Sequence, residues 1–183
     1  HNETSTGVTS DIAAVRRREL DRAARIIGYD EVVLLGYRDS GMPDTPANAD
    51  PENFANAPLD EAVGRLVAVI RRERPQVIVT YNEDQRGYPH PDHLRVHDIS
   101  VLAFEQAGDP GAHPDAGEPW QPLKLYYSVW SRRRMEAMHR RFGELGLESP
   151  FQDAWFESEW GDSGITTEVD VAGYAAVLRE VSR

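Results

Sequence analysis

Residues 87 to 97, Gly-Tyr-Pro-His-Pro-Asp-His-Leu-Arg-Val-His, place three of the chain's six histidines and an aspartate within eleven positions. Imidazole beside carboxylate suits two kinds of chemistry: holding a divalent metal through nitrogen and oxygen, and moving protons near neutral pH. His90 and His93 lie three apart across a proline, a spacing that can aim one ring at a metal and leave the other for acid and base work. Asp92, between them, can accept from a ring nitrogen and so fix a tautomer. Tyr88 adds a phenol able to donate to a developing oxyanion. His97 follows His93 by four residues, so on a helix the two share a face and a two-histidine metal pair is allowed. A single ligand ranks above that pair, and a capping or solvated role is favoured for His97. His-x-x-His also arises by chance. Its weight here comes from position, because two prolines restrict the backbone around His90 and the cluster follows a buried strand, where open α/β sheets bind ligands.

The elements that must position this cluster are legible from periodicity. Residues 11 to 27 carry Ile12, Val15, Leu20, Ala23 and Ile27 at helical spacing, with Gly28 as a left-handed stop. Arg16 and Glu19 fall on the apolar face of that helix, which suggests a buried ion pair or a group turned toward a ligand. Residues 31 to 37 are short, apolar and β-branched, as expected of a strand covered on both faces. A proline-rich connection over 42 to 58 is long enough to be a functional lid or a mobile loop. Residues 59 to 74 form the clearest helix, closed by Pro75, and 76 to 82 a second buried strand that delivers the histidines. A helical pattern resumes over 93 to 106. Residues 107 to 121 read as surface loop, 123 to 130 as a third strand, 131 to 145 as a basic helix, 166 to 171 as a fourth strand and 172 to 181 as a terminal helix. This alternation predicts an α/β fold, a Rossmann-like, mostly parallel sheet with helices on both faces, and a single domain over 1 to 183.

Composition narrows the partners. Twenty Lys+Arg against 31 Asp+Glu give a net charge of -11, and no basic tract exceeds Arg16 to Arg18, so no nucleic-acid partner is expected. No apolar stretch approaches the roughly 20 residues that span a bilayer, so no membrane partner is expected either. With no cysteine, a metal would have to be held by imidazole and carboxylate, and the expected location is the cytoplasm. Nothing in the composition fixes an oligomeric state.

The run Thr-Tyr-Asn-Glu-Asp-Gln-Arg-Gly-Tyr-Pro-His-Pro-Asp-His at 80 to 93 closely resembles the second signature of the LmbE-like, or GlcNAc-phosphatidylinositol deacetylase-like, zinc hydrolases. The helix at 15 to 28, Leu-Gly-Tyr-Arg-Asp-Ser-Gly-Met at 35 to 42, Asp-Ala-Gly-Glu-Pro-Trp at 115 to 120 and Lys-Leu-Tyr-Tyr at 124 to 127 also look like that family. These details are most similar to its mycothiol S-conjugate amidase branch. The resemblance implies zinc on His93, proton transfer or charge stabilisation by His90 with Asp92, and an oxyanion contact from Tyr88. It further implies that Arg16, Asp39 and Met42 line the pocket for the sugar-like part of the substrate.

The implied activity is hydrolysis of the amide in a mycothiol S-conjugate by a metal-activated water, releasing glucosaminyl-inositol and an N-acetylcysteine S-conjugate. The substrate would thus be a small pseudo-disaccharide thiol conjugate, and the setting thiol-dependent detoxification or antibiotic tailoring. Deacetylation of N-acetylglucosaminyl-inositol is the nearest alternative, and a non-catalytic sugar-binding relic another. The family's first signature, His-Pro-Asp-Asp-Glu, with two further zinc ligands and the catalytic aspartate, is not among these 183 residues. The expectation is therefore a stretch of a longer enzyme, lacking the family's N-terminal strands and C-terminal segment. With one protein ligand where catalytic zinc takes about three, this stretch alone should hold zinc weakly and be inactive.

Overall fold

A computed structural model describes residues 9–84, 89–151, 156 and 161–182. The chain divides into two compact units, one formed by His1–Leu34 with Thr167–Arg183 and the other by Leu35–Thr166.

In the first unit, helix α1 (Thr9–Ile27) packs with the last helix, α5 (Ala175–Val181). Gly28, at φ +90°, ends α1 as its N–H and that of Tyr29 both return to the Ala24 carbonyl. This is the left-handed stop the glycine was expected to supply. The apolar stripe is largely open, however. Ala24 is buried, whereas Ile12, Val15, Leu20 and Ile27 are exposed. Residues 166 to 171 form no strand, and Val169 and Val171 face solvent, so the expected fourth strand is absent.

The second unit holds the core. Helix α2 (Leu59–Glu73) places Ala62, Val63, Val67 and Ile70 on one stripe, as its 3.6-residue periodicity requires. Arg74 closes it in the left-handed region, at φ 50°, and Pro75 prevents continuation. Strand β1 (Val77–Tyr81) follows, then helix α3 (Pro91–Gln106), strand β2 (Lys124–Ser128) and helix α4 (Arg132–Glu144), whose N-cap Ser131 accepts from the Arg134 N–H. β1 and β2 pair in parallel, Val77 with Lys124 through Tyr81 with Ser128, across a connection that contains α3. The fold is thus mixed α/β with a parallel sheet, as the alternation predicted.

Ala62, Val63, Val67 and Ile70 from α2 meet Ile99, Ala103 and Ala107 from α3 and its end. Burying each valine or isoleucine there contributes about 1.5–3 kcal/mol. β1 turns Ile78 and Thr80 toward these helices, and Thr80 donates to Ser100 of α3 at 2.8 Å. Its other face, with Val77, Val79 and Tyr81, is exposed among the described residues.

Residues 31 to 37 correct the expectation of a strand: they make no ladder. A strand needs a neighbour to take its backbone groups, and none is paired with this segment among the described residues. Leu35 instead gives its carbonyl to Arg65 at 2.5 Å, Tyr37 stacks on Phe54 with ring centroids 5.2 Å apart, and Arg38 makes a lone bridge to Asn53.

Residues 42 to 58, whose length suits a lid or a mobile loop, are cross-braced by hydrogen bonds. Asn53, fully buried, donates to the carbonyls of Ala47 and Asn48 and accepts from the Asn56 N–H. Ser40, equally buried, accepts from the Ala55 N–H at 2.8 Å. Where a long loop has no ladder, buried amides and hydroxyls of this kind take up its backbone groups.

Candidate active site

β1 ends at Tyr81, and the described chain resumes after residue 88 with Pro89 and His90. α3 starts at Pro91 rather than at 93, because proline at the first helical position has its φ preset and no N–H to satisfy. The consequence is chemical. His90 becomes the N-cap, and Asp92 and His93 fall in the first helical turn, held by backbone hydrogen bonds from His93 and Leu94 to the His90 carbonyl.

His90 Nδ1 accepts from the Asp92 N–H at 3.2 Å. A nitrogen that accepts cannot carry the proton, so the neutral ring bears it on Nε2. The Asp92 carboxylate is 4.0 Å from Nδ1, too far to hydrogen-bond it, so it does not accept from this ring nitrogen as the sequence suggested. Its Oδ2 accepts instead from the Ser40 N–H at 3.2 Å.

Asp39 reaches the same place from the other side. Its Oδ1 accepts from the Gly41 N–H at 2.8 Å, a local turn that leaves the carboxylate exposed at the start of the loop. Asp39, His90 and Asp92 each offer one ligand atom, and these lie within 4.8 Å of one another. Asp92 Oδ1 is buried without a hydrogen-bond partner among the described residues. Such an orphan is costly unless a cation or a ligand donor meets it. Carboxylate oxygens are donors that zinc and similar divalent ions accept, so Asp39 and Asp92 fit a metal, whereas His90 in the tautomer its N-cap bond selects offers no ring lone pair to one.

His93 lies beside this group. Its ring stacks on Tyr81, with centroids 4.3 Å apart and planes 10° apart, and is tilted against His90 at 5.2 Å. Burial, then the adjacent His90, pushes its imidazole below the ordinary histidine value, against the opposing pull of Asp92. The neutral form, the one able to ligate a metal, is thereby favoured. His97 is accounted for structurally: its Nδ1 donates to the Tyr81 carbonyl at 3.0 Å and its ring meets Tyr127, tying α3 to both strands. A cavity of about 380 Å³ runs beside β1, lined mainly by apolar side chains such as Leu66, Ile70, Val79 and Val96.

Of the residues singled out from the sequence, the fold brings Asp39, His90 and Asp92 together and sets His93 against His90. Met42, three residues beyond Asp39, is partly exposed and gives its carbonyl to Thr45. Tyr88 lies outside the described residues. Arg16 is in the first unit, its side chain 78% exposed and paired with Glu19 at 2.9 Å, so the pair expected within the apolar face is formed at the surface. Sequence reasoning missed Ser40, Asn53, Tyr81 and Arg95. The available signals were the place of Ser40 directly after Asp39 and the i, i+3 spacing of Asp92 and Arg95.

Against known proteins, the family profile PIG-L, GlcNAc-PI de-N-acetylase, matches residues 1–104. Over 175 residues, 91% of this chain and 59% of the relative, the sequence is 43% identical to the mycothiol S-conjugate amidase of Streptomyces coelicolor. The chain belongs to the GlcNAc-PI de-N-acetylase family. Other members are close by. A 1D-myo-inositol 2-acetamido-2-deoxy-alpha-D-glucopyranoside deacetylase of Geodermatophilus obscurus is 43% identical over 144 residues, 76% of this chain and 49% of the relative. The enzyme of the same name from Rhodococcus erythropolis is 44% identical over 172 residues, 88% of this chain and 56% of its own length. The chain thus spans between about half and three-fifths of these family members.

Proposed function

We propose that the intact protein hydrolyses the amide of a mycothiol S-conjugate, releasing glucosaminyl-inositol and an N-acetylcysteine S-conjugate, with one zinc ion held partly by His93. The observation that carries this reading is the convergence of Asp39, His90 and Asp92 to within 4.8 Å beside the His93 ring. Support for the substrate comes from the name of the Streptomyces coelicolor relative. A divalent ion, when bound, supplies Lewis acidity toward the carbonyl and a more acidic water.

The chain's own residues do the rest. The His90 N-cap bond leaves the neutral ring's proton on Nε2, and that N–H donates to the carbonyl oxygen as negative charge develops. Asp92 provides the amide that fixes His90 and, through Oδ2, the acceptor that holds the Ser40 backbone. Tyr88 donates to the same oxyanion. Asp39 accepts from sugar hydroxyls and Met42 packs on the ring. Deacetylation of N-acetylglucosaminyl-inositol is the second reading, favoured by the names of the Geodermatophilus and Rhodococcus relatives, since the sugar side would be gripped identically and only the acyl side would differ.

The test uses the full-length protein, with metal content and hydrolysis of both amides measured for wild type, His93→Ala and His90→Ala. His93→Ala should lose zinc and turnover together. His90→Ala should keep zinc and lose turnover by about 10²–10³, the usual effect of removing an oxyanion donor. Unchanged zinc and turnover in His93→Ala would remove the metal assignment. Faster hydrolysis of the acetyl amide than of the S-conjugate selects the deacetylase.

A further inference from the structure

The loop that carries Asp39 and Met42 is fastened to α3 at both ends, by side chains one helical turn apart. At its start the Ser40 N–H donates to Asp92 Oδ2 at 3.2 Å. At its end Arg95 donates from Nε to the Phe54 carbonyl at 3.3 Å and from Nη2 to the Ala57 carbonyl. Asp92 and Arg95 are i and i+3 on α3 and so share a face. Between the two clamps the loop is braced internally by Ser40, Asn48, Asn53 and Asn56. A braced block moves as a whole, so what holds it to α3 sets the separation between Asp39 and the histidines at the head of that helix. Of the two clamps, Asp92 belongs to the site itself. Arg95 does not, and its guanidinium is spent on loop carbonyls.

We infer that Arg95 is a positioning residue for substrate binding: through the carbonyls of Phe54 and Ala57 it holds the sugar-gripping loop at its working distance from His90 and His93. The inference rests on the reading that Asp39 and Met42 contact the sugar-like part of the substrate. Arginine presents its donors to two carbonyls in a rigid planar fork, whereas the donors of a lysine ammonium turn on a flexible stem. Phe54 also reaches the core through its stacking on Tyr37, so loss of Arg95 should shift the loop without unfolding it.

The experiment compares Arg95→Met and Arg95→Lys with wild type in the full-length, metal-loaded protein. Arginine, methionine and lysine are similar helix formers, so α3 itself is little perturbed. KM for the S-conjugate amide should rise about tenfold in Arg95→Met and about threefold in Arg95→Lys, while kcat and zinc content stay within twofold, the pattern of lost binding in ground and transition states alike. Titration with glucosaminyl-inositol, which needs no turnover, should show the same rise in Kd. A fall in thermal stability with KM and Kd unchanged, or a fall in kcat with KM unchanged, overturns the inference. Wild type that binds glucosaminyl-inositol but hydrolyses neither amide refutes the proposed reaction and leaves Arg95 to be judged on Kd. Wild type that does neither refutes both.

Discussion

Arg71 permits a stability prediction with its size set by the structure. It is 3% exposed, and its guanidinium bonds six backbone carbonyls, those of Gln106, Ala107, Asp109, Ala112, His113 and Gly117. Substitution by methionine keeps the stem and removes every donor. Four of the six carbonyls have a second donor: Asp109 N–H for Gln106, Trp120 N–H for Ala107, Ala112 N–H for Asp109 and Ala116 N–H for His113. Gly117 is exposed, so water can replace the arginine there, whereas Ala112 is half-buried. One poorly hydrated carbonyl costs about 1–3 kcal/mol, and weakening the charge-assisted bonds to the others adds to it. Relief from burying a charge opposes both. The net expectation for Arg71→Met is a loss of about 2–3 kcal/mol, with Arg71→Lys recovering about half, since an ammonium has three donors where the fork has five. Urea unfolding of the full-length protein, followed by circular dichroism, measures it through the midpoint at constant m. A loss below about 0.5 kcal/mol, or full recovery by lysine, would refute the claim that the fork organises residues 106 to 117.

The buried Thr80–Ser100 pair should behave as a unit: Thr80→Val strands the Ser100 hydroxyl and costs about 1–2 kcal/mol, whereas Thr80→Val with Ser100→Ala costs less than Thr80→Val alone. Additive losses in the double-mutant cycle would contradict that coupling. At Gly64 an added Cβ would come 2.9 Å from His113 Nδ1, so Gly64→Ala should lose about 1 kcal/mol despite its better helix propensity. A Tm equal to or above wild type would show that the His113 ring gives way.

The helices and the chemistry were written locally. The stripe of α2 and the stops at Gly28 and Pro75 depend on nearest neighbours in the chain, and so does the Pro91 start that turns His90 into a cap, although periodicity placed that start two residues late. The clustering of His90, Asp92 and His93 is also a property of eleven consecutive residues. Residues 31 to 37 and 166 to 171 have strand composition, yet a strand exists only if another takes its backbone groups, and sequence pattern does not choose that partner.

What only the tertiary structure decided is which distant groups meet. Asp39 arrives beside His90 because the Ser40 amide finds Asp92, 52 positions away, and Arg95 reaches Phe54 and Ala57 across 41 and 38 positions. Arg71 looks in the sequence like a solvated basic residue at a helix end, and the fold buries it under six carbonyls. The physical reason is common to all three. Local pattern fixes which face of an element is apolar, but hydrogen bonds between remote segments are selected only once packing has removed water from the alternatives.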